Sequence, residues 1–376
     1  LKTYDVVILG GGAAGCATAL SLRSHFPSLN IILLEASAYD QPRVGEVLPA
    51  IARPLLIHLG IWEGFEAEQF RSVHSQAAVW GQPFLMENHF IYSARGAGWH
   101  LDRTRFDRFL AKQVAQRGVE VRSQTKLVSI SQPNFTANNL WHLHLTNGAS
   151  LQTRFLVDAT GRRATVARKM ARLLVFDHLT AFVGFFTIDN HPSPGTLIES
   201  FPNGWWYTAL ADNHRVVACL TDSDLARELG LKNRDRWLAL LEQTRWIQAS
   251  AENGVLPDEV MVRPANSTCL DQVCGDHWLA VGDAASAYDP LSSQGITKAL
   301  RLGIFAGYAI GDRLTKEETA GLAKYASLVR QEFENYRQIH RQYSAEEQRW
   351  SQSQFWRRRH ELMGDKHLER QNNQDQ

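Results

Sequence analysis

An α/β fold of two interleaved lobes with a C-terminal helical segment is what this 376-residue sequence predicts. Three observations predict it. Tyr4 to Gly15 read as a strand, a glycine-rich turn and the start of a helix. A second strand, turn and helix, "HWLAVGDAASAYDPLSSQGITKAL", returns far downstream at His277 to Leu300. Between them lie apolar, β-branched and aromatic runs separated by turn clusters, the pattern of an antiparallel sheet. A chain of this length buries enough surface to divide into lobes.

The first element, "YDVVILG", is a short apolar run ending in a turn. In "GGGAAG", Gly10, Gly12 and Gly15 match G-x-G-x-x-G. The first glycine turns the chain, the second lets the backbone approach a pyrophosphate, and the third lets helix and strand pack closely. Ala13 and Ala14 open an alanine-rich helix whose positive end would receive the phosphates. The second strand, "IILLE", ends at Glu35, about twenty residues after Gly15, where a carboxylate accepts hydrogen bonds from ribose hydroxyls. Strand, turn, helix, spacing and acid agree on an adenine dinucleotide and a Rossmann-like lobe. In the downstream element, Asp283 suits a ribityl or pyrophosphate-linked hydroxyl. The N–H groups around Ser293 to Ile296 suit a flavin carbonyl at a helix N-terminus. An NAD domain needs no such element, so FAD is expected; the plainer alternative is a βα unit with a capped helix.

The middle of the chain carries "DHLTAFVGFFTID", "WWYTALAD" and "HRVVACLTD". In "NGWWYTALADN" the period of two puts Trp205 and Tyr207 on one strand face and Trp206 on the other. Such rings either pack a core or form a slot for a flat, electron-rich substrate. The expected layout is an FAD-binding lobe from residues 1–70, 100–175 and 268–312, an interleaved antiparallel-sheet substrate lobe from 71–99 and 176–267, and C-terminal helices and tail over 313–376. Leu322, Tyr325, Val329, Phe333 and Tyr336 repeat at helical spacing, as in an amphipathic helix packed on the body. The tail holds Trp350, Phe355 and Trp356, which either pack on the body or form a docking element. The last six residues, "QNNQDQ", are expected to be disordered.

The formal net charge of +1 gives no field for nucleic acid or an anionic membrane. The four cysteines, Cys16, Cys219, Cys269 and Cys274, form no CxxC pair, which fits a reducing compartment. No signal peptide is visible, and the longest apolar run, "AFVGFF", is too short to span a bilayer. A cytoplasmic location is expected. His142 and His144 alternate along a strand with no third ligand nearby, so they read as sheet surface and no metal is expected.

In order, "GGGAAG", "VGEVLP" (Val44 to Pro49), "DRTRFDRFL" (Asp102 to Leu110), "VDATGR" (Val157 to Arg162) and "GDAASAYDPLSSQGI" resemble the flavoprotein monooxygenases and flavin-dependent halogenases of the para-hydroxybenzoate hydroxylase fold. The resemblance implies an FAD extended across the sheet. It implies that Glu35 holds the adenosine ribose, that Arg43 lies near the pyrophosphate and that Arg105 reaches the cofactor from a long helix. It adds Val128 to the cofactor residues and sets Asp283 near the ribityl chain. Val44, Gly45 and Glu46 would line the isoalloxazine ring, with Ser293, Gly295 and Ile296 near its pyrimidine edge. The plain alternative for Arg105 is a surface ion pair with Asp102 or Asp107.

Oxygen activated on a reduced flavin attacks electron-rich rings; the cofactor supplies that reactivity and the protein supplies position, dryness and polarity. The tryptophan halogenases carry W-x-W-x-I-P where this chain reads Trp205, Trp206, Tyr207, Thr208, Ala209 and Leu210. They also need a lysine and a glutamate. Phe70 to Gly81 contains no lysine, with Ser75 near the aligned position, and Ser292 stands at the glutamate position. A hydroxyl does not replace a reactive amine, so hydroxylation is expected and halogenation is not. Within the hydroxylases, "VGEVLP", "GWWYTAL", "DPLSSQGITKAL" and "EEQRW…FWRRR" are most similar to the maturation flavoproteins of cysteine tryptophylquinone amino-acid oxidases, the glycine and lysine oxidase helpers. That resemblance implies an FAD-dependent monooxygenase that hydroxylates a tryptophan side chain of a precursor protein during cofactor biogenesis. The precursor would be its partner. No second G-x-G-x-x-G is present for NAD(P)H, which leaves a separate flavin reductase or a slow direct reaction as the electron source. Hydroxylation of a free aromatic molecule, and a flavin-bearing maturation chaperone without oxygenase activity, stay open as rival readings. Glu46 and His74, with His100, are candidates to move the ring proton, against the plainer role of structural polar groups.

Overall fold

The structure, a computed structural model, describes residues 1–89, 96–131, 140–187, 195–211, 214–251 and 254–361. The expectation for "QNNQDQ" therefore lies outside the described residues. The chain forms two compact units. One comprises Leu1–Phe70, Leu101–Val175 and Thr268–Phe333; the other comprises Arg71–His100, Phe176–Ser267 and the chain from Glu334 onward.

The first unit is built on an eight-stranded sheet. Its order is Cys274–Gly275, Trp278–Ala280, Ser150–Asp158, β1 (Lys2–Leu9), β2 (Ile31–Leu34) and Glu120–Arg122, with Trp141–Leu145 and Leu127–Ser131 branching from Ser150–Asp158. The inner pairings are parallel. Val6, Val7 and Ile8 are fully buried in succession, as strands covered on both faces require. After the glycine turn comes helix α1 (Ala13–His25), and against it lies the helix Gly295–Thr315.

These two helices approach as closely as glycine allows. Gly303, Gly307 and Gly311 recur every four residues and so share one helix face. A Cβ at Gly303 would stand 2.6 Å from the Ala17 Cβ and 2.8 Å from the Ala14 carbonyl oxygen. At Gly307 it would stand 2.5 Å from Ser21 Oγ, and at Gly311 it would overlap the Phe26 ring. Ser21 Oγ donates to the Ile304 carbonyl at 3.0 Å across the same contact. The downstream turn is drawn in as well, since a Cβ at Gly282 would lie 2.7 Å from the Ala14 Cβ.

The second unit is built on a seven-stranded sheet. Its order is Met261–Pro264, Leu179–Thr187, His214–Asp222, Gly204–Ala211, Thr196–Phe201, Ser75–Val79 and Met86–His89. All pairs are antiparallel except Ser75–Val79 with Thr196–Phe201. One face carries an apolar cluster that includes Phe182, Phe186, Leu197 and Trp206, joined by Trp237, Leu241 and Ile247 from the helices Arg234–Leu241 and Trp246–Ala251. The Glu199 carboxylate caps the second of these helices by accepting from the N–H groups of Arg245, Trp246 and Ile247, each at 2.9 Å.

The C-terminal segment is bonded into this unit. Glu347 is fully buried and accepts from Gly81 N at 2.8 Å, Ser200 Oγ at 2.5 Å and Arg349 Nε at 2.9 Å. Trp356 Nε1 donates to the Phe201 carbonyl at 2.9 Å. Arg358 and Arg359 both reach the Asp222 carboxylate at 2.9 Å. Phe355 and Trp356 are buried, so these tail aromatics pack rather than project. Leu322, Tyr325, Val329, Phe333 and Tyr336 are the buried stripe of the helix Ala320–Glu346, as their spacing predicts. Among the described residues no helix is long and apolar enough to cross a membrane.

Gly303→Leu tests the helix contact. Overpacking of this kind costs about 1–3 kcal/mol, and the clash involves backbone, so we expect a fall in melting temperature at the upper end of that range. An unchanged melting temperature would show that the helices separate freely.

Candidate functional site

The glycine turn is built from backbone conflicts that only glycine resolves. Gly10 has φ +109°, and a Cβ there would overlap the Ala159 carbonyl. A Cβ at Gly15 would overlap the Gly10 carbonyl. Gly12 differs. Its φ is −79°, which any residue adopts, and a Cβ there meets nothing within 4 Å. It is the N-cap of α1, and no side chain caps the helix. Ala13 and Ala14 follow, both buried. The chain itself therefore does not require glycine at 12. The missing Cβ leaves clear space at an uncapped helix start, where orphan N–H groups and the helix dipole favour a phosphate.

The helix Gly295–Thr315 begins in the same way. A Cβ at Gly295 also meets nothing within 4 Å, and Gln294 at the N-cap makes no side-chain cap bond. Ser293, with φ +50°, is exposed beside it, and Ile296 is buried. Two close-packed helices thus open on glycines with clear space at each. This pair fits the two ends of a flavin dinucleotide, pyrophosphate and ring carbonyl, and the site chemistry is consistent with FAD.

Glu35 is buried at the end of β2. Its carboxylate accepts from Gly11 N at 2.7 Å, Ser37 N at 2.9 Å and Ser37 Oγ at 2.6 Å. Burial works against its ionisation, but these bonds and the Arg43 guanidinium outweigh it and hold the carboxyl below the usual range. Arg43 lies 3.4 Å from Glu35 and donates to Asp107 Oδ2 at 2.8 Å. The helix Arg103–Gln116 sorts the charges of "DRTRFDRFL" differently from the surface pair that is the plain alternative for Arg105. Asp102 is its N-cap and accepts from Arg105 N at 2.9 Å. Asp107 faces inward, fully buried, to Arg43 and Arg103. The Arg105 side chain instead meets Glu68 at 3.0 Å and lies over the Phe70 ring. An (i, i+4) count does not say which acid faces inward, so sequence spacing missed Asp107.

Asp283 stands on the turn Gly282–Ala284 with a side chain 35% accessible. Lys298 Nζ donates to its Oδ1 at 2.9 Å, and Arg162 lies 3.8 Å from its Oδ2. Arg162 comes from the "DATGR" loop, which the buried Asp158 folds by accepting from Thr160, Val166 and Ala167 N–H groups. Gly45 lies against Arg103, whose Nη1 donates to the Val44 carbonyl at 2.8 Å. Glu46 is buried and accepts from Gly45 N at 2.9 Å. Gly10, Gly12, Gly15, Glu35 and Arg43 are thus gathered by direct contacts, and Asp283 is tied to the start of the paired helix. Val128 is not part of this network. It lies on the strand Leu127–Ser131, 65% exposed.

In the second unit, the strand Gly204–Ala211 sets Trp206 into the apolar cluster, 5.3 Å from the Trp237 ring centre. Trp205, buried, and Tyr207, half-buried, occupy the other face. His74 is exposed. His100 is buried, and burial, with Arg71 and Arg215 nearby, pushes its pKa down to about 4. Its Nδ1 has no hydrogen-bond partner among the described residues. Among those residues no group of three or more His, Cys, Asp or Glu side chains is placed to hold a metal; His144 bonds Ser150 Oγ at 2.7 Å instead.

Gly12→Val separates fold from cofactor. Because the chain leaves room for the side chain, the apoprotein should keep its melting temperature, while the valine fills the phosphate space. We expect folded, colourless protein with no saturable FAD binding. Yellow Gly12→Val protein with normal flavin absorbance overturns the assignment of this turn to the pyrophosphate.

Comparison with known proteins identifies the family. The tryptophan halogenase family model matches residues 5–82 and 74–374. LodB of Marinomonas mediterranea, named as an FAD-dependent oxidoreductase, is 28% identical over 369 residues, covering 96% of this chain and 98% of LodB. The peptidyl tryptophan dihydroxylase QhpG, essential for tryptophylquinone cofactor biogenesis, superposes with a TM-score of 0.77 at 26% identity over 95% of this chain and 78% of QhpG. The myxobacterial chondrochloren halogenase CndH shares the fold, with a TM-score of 0.88 at 22% identity over 99% of this chain and 89% of CndH. With the glycine turn, the paired helix starts and a family match along nearly its whole length, the chain belongs to the tryptophan halogenase family and is an FAD-dependent oxidoreductase.

Proposed function

We propose that this protein hydroxylates the indole ring of a tryptophan side chain held in a precursor protein, during tryptophylquinone cofactor biogenesis, and that it does not halogenate. The observation that carries this reading is the strand Gly204–Ala211, where Trp205 and Tyr207 share the face opposite the apolar cluster. Rings so disposed can flank an indole by offset or edge-to-face contact. Similarity to a peptidyl tryptophan dihydroxylase supports the substrate class. Against halogenation stands the absence of lysine from Phe70 to Gly81, with Ser75 on the strand Ser75–Val79 and Ser292 in the turn Pro290–Ser292.

Bound FAD supplies activated oxygen. The chain does the rest. Gly10, Gly12, Ala13, Ala14 and Gly15 would hold the pyrophosphate, with Arg43 near it; Glu35 would hold the adenosine ribose, Arg105 would reach the cofactor from its helix, and Asp283 would lie near the ribityl chain. Val44, Gly45 and Glu46 would line the ring system, with Ser293, Gly295 and Ile296 beside it. A ring carbon of the substrate gains a C–O bond and releases its hydrogen as a proton. One atom of O2 enters the product and the other leaves as water, with two electrons drawn from an external donor through a separate flavin reductase. Glu46, His74 and His100 are the candidates to accept that proton; His100 is buried with an unpartnered Nδ1 among the described residues, but its lowered pKa of about 4 makes it a weak base. Four cysteines outside any disulfide, three of them buried, suit a cytoplasmic location.

Reduced protein supplied with oxygen, bromide or chloride and free tryptophan should give no halogenated product above a flavin-only control. Halotryptophan above that control ends the hydroxylase-only reading.

Trp205→Ala and Tyr207→Ala should keep FAD and slow oxygenation of the co-expressed precursor by about a hundredfold, because a small misplacement of the reacting carbon is that costly. Trp206→Ala should instead lose about 3–5 kcal/mol of stability. The measurements are precursor mass gain and melting temperature. If both slot variants mature the precursor normally, the aromatic pair is packing; if the unsubstituted protein binds the precursor without mass gain, the activity is that of a chaperone.

A further inference from the structure

Lys298 falls within "DPLSSQGITKAL" but has no role in the reading of that segment, yet its side chain is 0% exposed. Burying an ammonium costs several kcal/mol unless its donors are satisfied. Here each is accounted for by a single stretch of chain. One proton goes to Asp283 Oδ1 at 2.9 Å, another to the Ser286 carbonyl, and the charge lies 4.0 Å from the centre of the Tyr288 ring. Arg162 grips the same stretch from the "DATGR" loop, donating to the Tyr288 carbonyl at 2.6 Å and lying 3.8 Å from Asp283 Oδ2. Two cations thus hold Asp283 to Tyr288, while the Asp283 carboxylate keeps 35% of its side chain accessible. A buried ion pair is weak evidence for stability, since an apolar replacement is often neutral. Fixing one carboxylate in one place is a better account of its presence.

We propose that Lys298 is a positioning residue for the cofactor: it fixes the Asp283 carboxylate and the loop that follows in the geometry that receives the ribityl hydroxyls of FAD. The proposal rests on FAD as the cofactor and on the site described above.

The electrostatics add a second readout. Burial works against ionisation of Asp283, and Lys298, Arg162 and Arg103 together outweigh it, holding the carboxyl below its usual range. Lys298 in turn faces Asp283, Arg162, Glu332 and Tyr288. Without the ammonium, burial is opposed by Arg162 and Arg103 alone, and the Asp283 pKa rises. Its charged form is then lost as pH falls through that raised value. In the unsubstituted protein the carboxylate stays ionised over the same span.

The test is FAD titration of apoprotein by flavin fluorescence, with melting temperature recorded in parallel, for the unsubstituted chain, Lys298→Met, Lys298→Arg, Asp283→Asn and the Lys298→Met/Asp283→Asn pair. Lys298→Met should lower the apoprotein melting temperature, because it leaves Asp283 and the Ser286 carbonyl without their cation, and should weaken FAD in the folded protein by about tenfold or more, the scale of a lost charge-assisted contact. Its affinity should fall further from about pH 8 to about pH 5.5, where the unsubstituted protein stays flat. Lys298→Arg should restore the flat profile. In the Asp283→Asn background, Lys298→Met should add little. If Lys298→Met does not fold, Lys298→Gln is read in the same way. FAD affinity within about threefold of the unsubstituted protein, with a flat pH profile, overturns the role of Lys298. Failure of the unsubstituted chain to bind FAD overturns the cofactor reading beneath it.

Discussion

The first unit depends on how closely two helices can approach. Gly303, Gly307 and Gly311 bring the helix Gly295–Thr315 against α1 until side-chain atoms of one touch backbone of the other. Each glycine inside a helix costs roughly 0.5–1 kcal/mol relative to alanine. The return is positional. Both helices start at the same end of the sheet, each on an uncapped glycine, so two positive helix ends are brought together without any side chain to fill the space before them. Asp283 lies on the turn that precedes the second helix, and Lys298 lies one turn inside it. Whatever sets the helix spacing therefore also sets the carboxylate.

Charge follows the same economy. In the helix Arg103–Gln116, Asp102 ends a row of N–H groups and Asp107 holds two arginines in the interior. Asp158 folds a loop, and Glu199 begins a helix. Each buried carboxylate meets several donors at once, which is what makes burial of the ion tolerable.

Much of this was legible in the sequence where a motif is local. The Gly10 to Gly15 turn, Glu35 at the strand end, the apolar stripe from Leu322 to Tyr336 and the alternation through Trp205, Trp206 and Tyr207 all follow from short-range periodicity, and the strands and helices form where that periodicity puts them. Partners distant in sequence were not legible. For Arg105 the plain alternative to a cofactor contact is a pair with Asp102 or Asp107, but its side chain meets Glu68, because the N-cap claims one acid and the interior claims the other. Glu199 in "TLIESF" reads as an outward strand residue until a helix 46 residues later supplies its donors. Lys298 left one signal: it falls four residues before Leu302 on the apolar side of its helix, a poor place for a cation without a counter-charge.

The clasp made by Glu347, Trp356, Arg358 and Arg359 has a bearing on synthesis. Its bonds go to Ser200, Phe201 and Asp222, residues at the ends of strands in the middle of the second sheet. A ribosome makes those strands long before it makes the helix Gln354–Glu361. Until Glu347 to Arg359 emerge, Asp222 stands without its arginines and the Phe201 carbonyl without its indole. The sheet can pair its backbone early, but its polar groups are satisfied only after more than a hundred further residues have been made. The second unit is therefore one whose interior is completed by residues made well after its strands, and a nascent chain stalled short of them would present acidic and apolar surface that the folded unit never shows.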